Sequence, residues 1–94
     1  MITPTVGRVV WFREAGSHRT SQPQAAIVAY VQTDRCVNLM VISPRGNPQS
    51  LPCVTLVQDG DAIPEGGCYC EWMPYQKGQA AKHEALEAKA GAVT

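Results

Sequence analysis

The chain predicts a mainly β fold, a small five-stranded antiparallel barrel carrying a C-terminal helical tail. Three observations lead there. The 94 residues suffice for one domain. Short runs of β-branched and aromatic residues recur between Gly, Pro, Asn and Asp clusters up to residue 75. No helix-forming stretch separates those runs, so parallel crossovers through helices are not expected.

Val6 to Arg13 reads as the first strand, because VGRVVWFR is β-branched and aromatic. Glu14 to Pro23 holds loop formers with His18 and Arg19. Gln24 to Asp34 is the second strand and Asp34-Arg35 a tight connection. Cys36 to Ser43 is the third strand, and Pro44 to Pro48 a turn around Arg45. The fourth strand is expected near Cys53 to Gln58, with Pro52 marking its start. Turns at 59–61 and 64–67 lead to a short fifth strand, Cys68 to Trp72. Strand order and turn lengths fit a Src-homology-3-like barrel over residues 1–75, with 14–23 as its variable first loop. Residues 76–94 form the tail. Gln76 to Ala90 favours helix, but Leu86 is its only large apolar side chain, so little holds it to the barrel.

The formal net charge is zero, which argues against long duplex DNA as a partner. The charge is nevertheless segregated. Residues 1–45 carry five arginines against Glu14 and Asp34, net +3; residues 46–75 carry four acids and no base. All three lysines lie in the tail. Arginine suits phosphate through its planar fork. No apolar run reaches membrane-spanning length and the N-terminus lacks a signal pattern, so cytoplasmic residence is expected. Cys36, Cys53, Cys68 and Cys70 then read as thiols, and their irregular spacing does not match zinc ligand pairs.

The strands alternate poorly. Ala25, Ile27, Ala29 and Val31 share one face of the second strand, while Ala26, Val28 and Tyr30 share the other. Both faces ask for cover that one barrel interior does not provide. A homo-oligomer, most simply a two-fold dimer, is therefore expected.

No nucleophile–base arrangement, phosphate loop or complete calcium loop is present, so catalysis and cofactors are not expected. Two features suit binding: the aromatic group Tyr69, Trp72 and Tyr75, joined by Trp11 and Tyr30, whose rings can stack on bases, and the loop Ser17-His18-Arg19-Thr20-Ser21, whose guanidinium and hydroxyls suit phosphate. Arg13, Arg19 and Arg45 are the expected phosphate clamps. Tyr69 and Trp72 are the expected stacking rings.

The strings VGRVVWF, AAIVAYV, CVNLMVISPRGN and GGCYCEWMPY resemble a family of short bacteriophage accessory proteins, over residues 5–75. The resemblance carries no ligand residues with it. It implies a phage protein acting in the host cytoplasm, where such proteins counter host defence. Oligomer and residue inventory together lead to one expectation, a non-enzymatic protein that sequesters a small cyclic-nucleotide immune signal. Two alternatives share the inventory: a module that inhibits a host enzyme by contact, and a single-strand nucleic-acid binder.

Overall fold

A computed structural model describes residues 1–16 and 22–93, with side chains through residue 86. Five strands follow one another: β1 (Val9–Arg13), β2 (Gln24–Thr33), β3 (Cys36–Ile42), β4 (Pro48–Val57) and β5 (Tyr69–Glu71). They close into a barrel in chain order, and α1 (Pro74–Val93) follows. The expected barrel and its helical tail are both present.

Closure brings one departure from a fully antiparallel sheet. The ladders β1–β2, β2–β3, β3–β4 and β1–β5 are antiparallel, but β4–β5 is parallel. Parity requires this: a ring with an odd number of strands cannot alternate direction all the way round. Residues 58–68 must therefore run back along the barrel before β5 begins.

The core is the inner face of the strands. Val10 and Phe12, Ala26 and Val28, Val37, Leu39 and Val41, Val54 and Leu56, Cys70 and Trp72 form one buried cluster. Full burial of each aliphatic side chain of Val or Leu size stabilises by about 1.5–3 kcal/mol. Ile2 packs against this cluster from the N-terminal segment.

Two strand starts and the pairing within β2 differ most from expectation, each for a local reason. β1 starts at Val9, because Val6-Gly7 is a turn. Gly7 has φ +95°, and its N–H donates to the Val28 carbonyl at 2.8 Å. β2 bulges between Val28 and Tyr30, so its faces exchange partway. Tyr30 therefore points outward while Val31 packs on the core. β4 begins at Pro48, five residues before the expected Cys53, and accommodates Pro52 in a bulge between its Leu51 and Val54 pairings. A proline lacks the N–H that a regular ladder would need, so it sits where pairing is skipped.

α1 starts on Pro74, whose missing N–H costs nothing at a first helical position. Gln76 caps it, accepting from the Met73 N–H through Oε1 at 2.8 Å. The same side chain donates through Nε2 to the Val9 carbonyl at 2.8 Å, which ties the helix start to β1. Farther along, Leu86 is exposed, as the lack of an apolar stripe predicts.

Candidate binding surfaces

Register places Arg13, Tyr69 and the turn holding Arg45 at one end of the barrel. Arg13 faces Tyr69, Phe12 faces Gln24, Ala25 faces Ile42, and Ile42 faces Pro48. Gln24 Nε2 donates to Glu14 Oε1 at 2.8 Å, joining the two ends of the 14–23 segment. Arg45 is exposed on a turn closed by Gly46 N–H to Ser43 carbonyl and Asn47 N–H to Ser43 Oγ. Arg19 lies outside the described residues.

Arg13 is not poised for a ligand. Its Nε donates to Glu71 Oε2 at 3.2 Å, and the two side chains are only 9% and 10% exposed. The guanidinium also lies 5.9 Å from the Trp11 ring centroid. Tyr69 is 5% exposed, so its ring contributes to packing. A phosphate at Arg13 would have to displace Glu71.

Trp72 sits towards the opposite end, 1% exposed. Its indole Nε1 donates to Gln58 Oε1 at 3.1 Å. Gln58 Oε1 also accepts from the Ile2 N–H at 3.2 Å, while Nε2 donates to the Ile2 and Asp34 carbonyls, both at 2.9 Å. One buried amide thus joins the N-terminal segment, the β2–β3 turn and the end of β5. Arg8 covers the Trp72 ring, its guanidinium carbon 5.9 Å from the ring centroid.

Arg8 belongs to the wall of a groove that the sequence did not reveal. It runs between the N-terminal segment and the first turns of α1, where Arg8, Tyr75, Gln76, Gln79 and His83 contribute polar and aromatic groups. Glu84 lines it too, paired with the terminal amine at 3.6 Å. Tyr75 is 72% exposed. The groove encloses about 420 Å³, within the range of small-molecule sites, about 300–1,000 Å³. Its residues come from either end of the chain, so no local motif marks it.

Comparison with known proteins finds no matching family model, no matching curated protein and no matching solved structure.

The outer face of β1–β2–β3 is the third surface. Val9, Ile27 and Met40 face one another across the three strands, and Trp11, Ala25 and Ile42 form the neighbouring row. Val9, Met40 and Tyr30 are exposed. No helix among the described residues is long and apolar enough to cross a membrane.

Proposed function

We propose that this protein is a non-enzymatic binding protein that captures a small phosphorylated nucleotide in the groove between its N-terminal segment and α1. One observation carries the reading. Arg8 is held over the Trp72 ring at a groove that also presents the exposed Tyr75 ring and the amide of Gln79. A guanidinium complements phosphate, and an exposed ring complements a base. The resemblance to short phage proteins supplies the setting: in a host cell, such capture would withdraw a cyclic-nucleotide immune signal.

The test is the melting temperature of the protein with a panel of cyclic di- and trinucleotides and cyclic ADP-ribose isomers. Ligand at 100 times its Kd stabilises by about 2.7 kcal/mol, a rise of about 10–20 °C for a domain of this size. Arg8→Ala should remove the rise. No shift with any member contradicts the reading, and a chemically altered ligand on heat release would identify an enzyme instead.

A second reading has its own support. The rows Val9–Ile27–Met40 and Trp11–Ala25–Ile42 make an apolar outer surface suited to another protein, including a second copy of this chain. Met40→Glu would then disrupt assembly while leaving ligand-induced stabilisation unchanged, as measured by light scattering and melting.

A further inference from the structure

The bulge in β4 creates a pair of thiols. Val37 faces Val54 and Leu39 faces Leu51, so Pro52 and Cys53 stand together opposite Asn38. Cys53 adopts φ +51°, a left-handed conformation that residues with a Cβ rarely take. Asn38 secures it, its Oδ1 accepting from the Cys53 N–H at 2.9 Å. Cys36 stands on β3 opposite Thr55, two residues beyond Cys53 on β4, so the two cysteines lie diagonally across one ladder. Cys53 is exposed and Cys36 half-buried. An unusual backbone held in place by a dedicated side chain is a reason to look for function there.

We propose that Cys36 and Cys53 form a redox-sensitive dithiol, a modification site that a low-molecular-weight disulfide such as oxidised glutathione closes into an intrachain disulfide. The Cys53 thiolate attacks one sulfur of the glutathione disulfide. That S–S bond breaks, one glutathione leaves and takes up a proton, and a mixed disulfide remains on Cys53. Cys36 then loses its proton and attacks the Cys53 sulfur, releasing the second glutathione. The protein gives up two electrons and two protons, and glutathione disulfide becomes two thiols. Partial burial and the neighbouring Cys53 raise the pKa of Cys36. Exposed Cys53 is therefore the first to react and Cys36 the resolving thiol.

The experiment treats the full chain with oxidised glutathione and maps its peptides without reduction. Cleavage after Arg45 separates Cys36 from Cys53, and cleavage after Glu65 separates Cys53 from Cys68 and Cys70. The expected product is peptide 36–45 linked to peptide 46–65, two hydrogens lighter than the separate pair. Cys36→Ser should stop at a glutathione adduct on Cys53. A link through Cys68 or Cys70, a dimer joined through Cys53, or unchanged thiols would each overturn the proposal.

Discussion

Gln58 and Trp72 meet at one end of the barrel, 2% and 1% exposed, with the indole Nε1 donating to the amide Oε1 at 3.1 Å. The side chain of Gln58 makes four hydrogen bonds, three of them to the backbone of Ile2 and Asp34. It therefore does for this end of the barrel what a ladder does elsewhere. It also fixes the ring over which Arg8 lies.

Gln58→Leu keeps the approximate volume but leaves the Trp72 N–H, the Ile2 N–H and two carbonyls without this partner. Each stranded buried group costs about 1–3 kcal/mol. Urea unfolding should show a loss of at least about 2 kcal/mol with little change in slope. A loss below about 0.5 kcal/mol would mean that water replaces the amide without penalty.

Arg13 and Glu71 form an ion pair almost removed from solvent. Removing one member leaves the other buried with its charge, at a cost of about 3 kcal/mol or more. Glu71→Ala should therefore destabilise more than the exposed substitution Glu65→Ala, as read by the urea midpoint. Equal effects would indicate that the pair is solvated in solution.

Asp61 gives the chain an acid-sensitive contact. Its carboxylate accepts from Arg35 Nε at 2.9 Å and from the Gln58 N–H at 3.0 Å. The hydrogen bond from Arg35, followed by that backbone N–H, lowers its pKa below the ordinary value. Ionised Asp61 thus favours the folded state. The contribution is complete above the unfolded value near 3.9 and is lost as pH falls through the lower folded value. Asp61→Asn should flatten this acid limb in a plot of melting temperature against pH. An unchanged limb would place the effect elsewhere.

The cysteines should differ in reactivity. Burial first, then nearby Cys68, pushes the Cys70 thiol up to about 12, whereas Cys53 and Cys68 are exposed. Brief alkylation of the folded protein at pH 8 should label Cys53 and Cys68 and spare Cys70, as mapped by mass spectrometry. Early labelling of Cys70 would show that β5 opens readily.

Much of the fold was legible because it is local. Val10 and Phe12, or Val37, Leu39 and Val41, alternate with outward residues over a few positions, and Pro44 to Pro48 marks its turn. Bulges are less legible. Pro52 signals a strand start when read alone, yet here it lies inside β4 because Asn38 supplies an acceptor for the neighbouring Cys53 N–H. The sites were least legible. Arg13 pairs with Glu71 across 58 positions, so its availability is decided by register, not by residue type. Trp72 is an aromatic with an N–H, equally suited to stacking or to a buried amide partner, and Gln58 decides which. Arg8 and Tyr75 come together only because the helix start is tied to β1 through Gln76.

The most direct measurement is a native mass spectrum of the protein purified from cells. Ligand capture in the groove predicts a species heavier than the chain by a nucleotide mass, lost in Arg8→Ala, whether or not the outer β1–β2–β3 face also assembles copies. No retained species in the parent protein, or one that persists in Arg8→Ala, would contradict it.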